Sequence, residues 1–248
     1  MAEDILDTLP PSAPPQPRMG AFARIIGVFF EPTATFADIA RSPSFLAPLL
    51  VVIVCTIGVS AVMFQKVDTE QMMRQQIAKN SRASEMPKEQ IDKQVEMGAK
   101  YAKYGFFFVP FFLPIWMLVL AGVLFMMSNF IFGGSATYKQ LFAVAAHAQM
   151  PGIILGLLSV VVLFLKDPAD IDVQNLVTSN LGPLISAETS KVGHRLAMSM
   201  DLFSFWQMFL LGKGISASAR LSFAKGLMAV MIPWLLYVLV VTGLAAMQ

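Results

Sequence analysis

Uncharged apolar runs alternate with polar segments along the chain, and four of them are long: Leu46–Phe64, Gly105–Phe132, Leu141–Leu165 and Gly226–Met247. A bilayer core about 30 Å thick takes roughly 20 helical residues, so each run predicts a membrane-spanning helix. A weaker run covers Leu196–Gly212 and is interrupted by Asp201. With Asp201 at its mouth, that helix runs on past Lys213, whose long stem reaches the interface. The expected spans are 46–64, 105–132, 138–165, 196–217 and 226–247, an odd number that places the two termini on opposite sides. The second is longer than a crossing requires, so it tilts, kinks or projects. Pro110 and Pro114 supply kinks there, as Pro151 and Pro233 do in the third and fifth.

Residues 1–20 read as a disordered tail, because Pro10, Pro11, Pro14, Pro15 and Pro17 deny it a helix. Phe22, Ile25, Ile26, Phe29 and Phe30 then recur at helical spacing, and Pro32 ends the pattern. The segment is too short to span. It predicts an amphipathic helix lying in the interface or one packed against the bundle. The fold class is all-α integral membrane, with five transmembrane helices and an N-terminal interfacial amphipathic helix, and residues 21–248 form one membrane domain. Between the first two spans, "PKEQIDKQVEMGAKYAKYG" is helical, with Pro87 in a first-turn position and Glu89–Lys93 and Glu96–Lys100 as i,i+4 pairs. A solvated extension of the second span is the simpler reading; a partner-binding helix is the alternative.

"FGGSATYKQLFAVAAHAQMPGIILG", Phe132 to Gly156, is the most unusual stretch. Gly133 and Gly134 permit a turn, and Thr137 with Gln140 matches a capping box that starts the third span at Tyr138. So short a joint makes spans two and three antiparallel neighbours. His147 falls near mid-bilayer. Pro151 lacks the N–H that would pair with the His147 carbonyl. Gln149 lies about 200° around the helix from the ring, so the two do not share a pocket. Ala148, Gly152 and Gly156 form a small-residue row that admits a close neighbour. His147 and Pro151 therefore read as a structural polar kink, with the imidazole bonded to a neighbouring helix. A proton-relay or ligand role is the functional alternative.

Composition agrees with a membrane protein: of 248 residues 56% are hydrophobic and 14% charged, where a soluble domain carries about 25% charged residues. The net charge of +2 gives no field for nucleic acid. Cys55 is the single cysteine, so no intramolecular disulfide forms, and His147 and His194 do not complete a zinc site with it. Glu3, Asp4 and Asp7 stand where a secretory signal would be basic, so no such leader is expected. No catalytic spacing is present, and no acid lies inside the four long runs, which argues against an enzyme or an ion-coupled pump. No catalytic residue, metal or cofactor is predicted. Lys139, Lys213, Arg220 and Lys225 lie in or beside short connections that carry no acid. They read as positive-inside anchors, or as a lipid-headgroup site. Either reading puts those connections and the N-terminus in the cytoplasm.

"FFEPTATFADIARSPSFLAPL", "FGGSATYKQLFAVAAHAQMP" and "DLFSFWQMFLLGKGISASARLSFAKG" together resemble the bacterial branch of the Yip family, the Ypt-interacting-protein membrane domain, over residues 21–247. The resemblance implies five membrane helices, a cytoplasmic N-terminus and, here, a bacterial cytoplasmic membrane. Eukaryotic relatives bind Rab-type GTPases. This chain lacks their DLYGP-type motif, so that partner does not carry over. The expected function is non-enzymatic: organising membrane, or binding lipids, a membrane-protein partner or further copies of the chain. A small transporter built on kinked helices two, three and five is the alternative.

Overall fold

The structure is a computed structural model that describes residues 18–78, 86–166 and 175–246. Most of the expected tail, residues 1–17, lies outside the described residues, as does the end of the last span, 247–248. Among the described residues there are only helices and connections. They run α1 (Ala21–Phe30), α2 (Pro32–Arg41), α3 (Leu46–Lys66), α4 (Thr69–Ala78), α5 (Lys88–Phe125), α6 (Tyr138–Ala148), α7 (Met150–Leu165), α8 (Lys191–Ser199), α9 (Leu202–Ala219) and α10 (Phe223–Ala246). Four helical stretches among the described residues are long and apolar enough to cross a membrane: Leu46–Lys66, Lys88–Ile131, Tyr138–Leu165 and Phe223–Ala246. The outer faces of α3, α5 and α10 carry Leu50, Val54, Phe107, Phe111, Trp116, Leu236 and Leu239, all exposed. A soluble protein does not leave apolar patches of that extent to water.

The core is built differently. Every residue of α6 from Leu141 to Ala148 is buried, and α9 buries Met208, Leu210, Leu211, Gly212, Gly214, Ile215, Ser218 and Ala219. These two central helices face protein on most sides, so small and polar side chains are tolerated where a lipid-facing helix needs Leu, Ile and Phe. Gly212 and Gly226 let α9 and α10 approach backbone to backbone: a Cβ on Gly212 would lie 3.1 Å from the Leu227 Cα.

The segment expected as one helix, 196–217, is two. Alpha-helix α8 ends at Ser199, and α9 starts at Leu202 with Asp201 as its cap, accepting from the Ser204 amide at 2.8 Å. The cause is local. A carboxylate at a helix start satisfies free amides, whereas in mid-helix it would compete with them. The 38-residue α5 runs unbroken from the polar loop into the membrane, so the polar helix is an extension of the second span. Val95 and Ala99 are its buried positions. Glu89 and Lys93 pair at 3.0 Å, and Arg74 of α4 meets Asp92 at 2.9 Å. Beyond Phe125 the helix widens into a π turn, Met126–Ile131.

The apolar stripe of α1 is divided. Phe22, Ile26 and Phe30 point outward, Ile25 and Phe29 pack on the core, and Arg24 and Val28 are buried. Pro32, expected to end a helix, also opens α2 from its first position, where its missing N–H is harmless. Thr35, Phe36, Asp38 and Ile39 of α2 are all buried. The hairpin α1–α2 is thus part of the bundle.

Candidate functional site

Three separate segments meet at one end of the bundle. The first is the α1–α2 hairpin, locked by a buried ion pair. Arg24 Nη2 lies 2.7 Å from Asp38 Oδ2, with the two side chains 5% and 2% exposed. Arg24 Nε donates to the same oxygen at 2.8 Å, and Nη1 donates to the Ser42 carbonyl at 2.9 Å and to Ser44 Oγ at 2.6 Å. The Asp38 carboxylate also takes Arg41 Nη2 at 3.3 Å, from a side chain 53% exposed. Asp38 is therefore shared by two cations, one sealed inside and one reaching outward.

The second segment is the joint between α5 and α6. Asn129 clamps it: its amide donates to the Ala136 carbonyl at 2.7 Å, and its carbonyl accepts from the Ala136 N–H at 2.9 Å. Gly133 takes a positive φ of 70°, which glycine adopts without strain. A Cβ on Gly134 would lie 2.8 Å from both Ala219 Cβ and the Ser128 carbonyl oxygen. The capping box forms, with the Gln140 amide donating to Thr137 Oγ1 at 3.3 Å and the Thr137 amide to Gln140 Oε1 at 2.7 Å. Gln140 does more than cap: its Nε2 donates to the Ala40 carbonyl at 2.8 Å, tying α6 to α2.

The third segment is the end of α9. Arg220 closes it in the left-handed region, φ 57°. Ser135 N–H donates to the Ala219 carbonyl at 3.1 Å, so the α5–α6 joint also satisfies the last turn of α9. Between the three segments lies a groove of about 460 Å³, lined by Ala34, Ala37, Ala40 and Arg41 from α2, Gln140 from α6, Ala217 and Ser218 from α9, and Arg220, which caps α9. Alanines make its floor, and no acid lines it. The Ser218 hydroxyl is buried and has no partner among the described residues.

Of the four basic residues expected as one cluster, Arg220 alone lines this groove. Lys139 and Lys225 are exposed on the first turns of α6 and α10. Lys213 is half-buried, its ammonium 4.7 Å from the Phe223 ring centre and 5.6 Å from that of Phe209, a cation–π arrangement. The groove also takes in Ser218, a small residue of the same link, and gains Arg41, which lies outside the short connections. The signal was present in the i,i+3 alanines 34, 37 and 40 that lead to Arg41.

Residues 26–245 match the family model of the Yip1 domain. The chain belongs to the Yip1-domain family. No curated protein and no solved structure matches it. The match takes in the α1–α2 hairpin from Ile26 onward, the α5–α6 joint and the α9–α10 link, so all three walls of the groove lie inside the Yip1 domain.

The core of this Yip1 domain holds a second polar group. His147 is fully buried, and its Nδ1 lies 2.8 Å from the Ala143 carbonyl of its own helix. A carbonyl accepts, so Nδ1 carries the proton, and Nε2 is left without a partner among the described residues. The expected bond to a neighbouring helix is absent among the described residues: Nδ1 bonds the i−4 carbonyl, and Nε2 meets no partner. Nor is the His147 carbonyl left open by Pro151, since the Gln149 amide turns back onto it where α6 gives way to α7. The link between helices comes instead from Gln149, whose Oε1 accepts from Gln207 Nε2 of α9. Among the described residues no cluster of metal-ligating side chains occurs.

Proposed function

We propose that this Yip1 domain is a non-enzymatic protein of the bacterial cytoplasmic membrane that binds anionic membrane components at its short-loop face. The N-terminus and the Gly133–Thr137 and Arg220–Ser222 connections share the cytoplasmic side. The carrying observation is the way the loop end is built. The joint, the hairpin and the end of α9 are pinned together by the Ser135–Ala219 and Gln140–Ala40 bonds, and around them Arg41, Lys139, Arg220 and Lys225 stand exposed. Basic groups at an anionic surface contribute about 1 kcal/mol each.

The test is lipid enrichment. The full chain, reconstituted in discs of mixed phosphatidylglycerol and phosphatidylcholine, is released and its bound lipids are weighed by native mass spectrometry. Enrichment in phosphatidylglycerol that falls in a Lys139→Gln/Lys225→Gln variant is the expected result. Lipid bound in the proportion of the bilayer, unchanged in the variant, would sink the reading.

One observation favours the transporter alternative: Nε2 of His147, in the middle of a spanning helix, has no partner among the described residues. Substrate flux in proteoliposomes, abolished in a His147→Leu variant of unaltered stability, would establish it.

A further inference from the structure

We infer that the groove between α2, α6 and α9 is a site for a single phosphate group, held between Arg41 and Arg220; the inference rests on the proposal that the short-loop face binds anionic membrane components. A diffuse basic surface would need no particular geometry. This groove has one. Arg41 projects from the end of α2 and Arg220 from the end of α9, and both line the same recess of about 460 Å³. Guanidinium groups match phosphate oxygens with paired donors, where an ammonium offers a point charge.

The neutralising acid is accounted for. Asp38 touches Arg41, but its carboxylate also belongs to the sealed Arg24. Two arginines on one carboxylate leave that three-residue group with one positive charge in excess, and Arg41 is its groove-lining member. Arg220 has no acid partner among the described residues. Gln140 is not a competing ligand, because both ends of its amide are engaged, with Ala40 and with Thr137. It braces the wall. Ser218 is the opposite case. It lines the groove, and its hydroxyl has no partner among the described residues, which is costly for a buried donor unless something supplies an acceptor. A phosphate oxygen is such an acceptor. Four of the eight lining residues are alanines, whose single methyl groups leave the recess open.

A phosphate of this kind reaches the groove as a lipid headgroup or as a free ion, and the chemistry of recognition is shared. The experiment separates the sources. Native mass spectra of the full chain in detergent are recorded with phosphatidylglycerol or with inorganic phosphate, for wild type and for Arg41→Gln, Arg220→Gln, Ser218→Ala and the distant control Lys103→Gln. Melting temperature is measured for each variant. The expected result is one tightly held phosphatidylglycerol per chain. Each arginine variant weakens it by at least about tenfold, the effect of losing a hydrogen bond to a charged group. Ser218→Ala weakens it by a smaller factor, and Lys103→Gln not at all. Displacement of the lipid by inorganic phosphate supports the site and assigns it to a free phosphate. Discrete lipid retained equally in both arginine variants overturns the groove, and if it is then lost with Lys139 and Lys225 the surface reading survives alone. No discrete lipid and no bound phosphate in wild type overturns the inference too. An arginine variant that fails to fold leaves Ser218→Ala to decide: unchanged binding there, with the other arginine variant also unchanged, rejects the site.

Discussion

At the scale of single residues, the costliest arrangement is Arg24 with Asp38. Removing one member of a buried pair leaves an uncompensated charge and costs about 3–5 kcal/mol. Asp38→Asn should therefore lower the melting temperature sharply, and Arg24→Leu in the same chain should recover part of the loss. A single variant that melts with wild type would show that the pair does not hold the hairpin. His147 carries the opposite expectation. Among the described residues its ring bonds only its own helix, so His147→Leu should change stability by less than about 1 kcal/mol, and His147→Gln should offer no rescue. A large loss restored by Gln would mean that the ring bonds another helix after all. Spacing made the short-range contacts legible: the Thr137–Gln140 box and the Glu89–Lys93 pair are i,i+3 and i,i+4 relations. Glu96 and Lys100 have the same spacing and form no ion pair; spacing permits such a contact without enforcing it, because an exposed pair gains little either way. The Arg24–Asp38 contact crosses a turn, and no local rule reaches it. Its trace in the sequence was an arginine inside an apolar stripe, a position that is tolerable only with a partner.

Among the elements, the long apolar runs were legible because hydrocarbon demands continuous apolar length. Their edges were not, where a polar residue changes role with context. Asp201 interrupts a hydropathy run yet starts a helix. Pro32 ends one helix and opens the next, which hid α2. The α5–α6 joint shows how one element fixes its neighbours. Gly134→Ala would press a methyl against Ala219 Cβ and the Ser128 carbonyl, each 2.8 Å away, and overpacking of this kind costs about 1–3 kcal/mol. Adding Ala219→Gly removes the first clash and leaves the second, so the double variant should regain only part of the lost stability in a thermal melt. Full recovery would assign the whole cost to the Ala219 contact. No loss in the single variant would mean that the joint does not dock on α9.

The whole molecule poses a question of parity. Sequence showed which segments are apolar enough to cross; it did not show that α9, which is not among the four most clearly apolar spans, would be central. The connections supply the argument. The Lys66 ammonium, just past the membrane part of α3, lies 4.6 Å from the Phe164 ring near the end of α7, and Val67, Leu163 and Leu176 pack together. The Leu202 amide then donates to the Ser179 carbonyl, so α9 starts at that end. It finishes at Ala219, whose carbonyl accepts from Ser135 at the other. Its 18 residues rise about 27 Å, close to the thickness of a bilayer core. We propose that α9 is a fifth crossing, shielded from lipid by its neighbours and therefore free to carry Gln207, Lys213 and Ser218. Single cysteines at Ser135, Ser222, Gln76 and Ser186 in a Cys55→Ala background test it with an impermeant thiol reagent. Ser135 and Ser222 should label from one side, the cytoplasmic one in our reading, and Gln76 and Ser186 from the other. Labelling of Ser186 together with Ser222 would mean that α9 enters and leaves on the same side, and the chain would then have an even number of crossings.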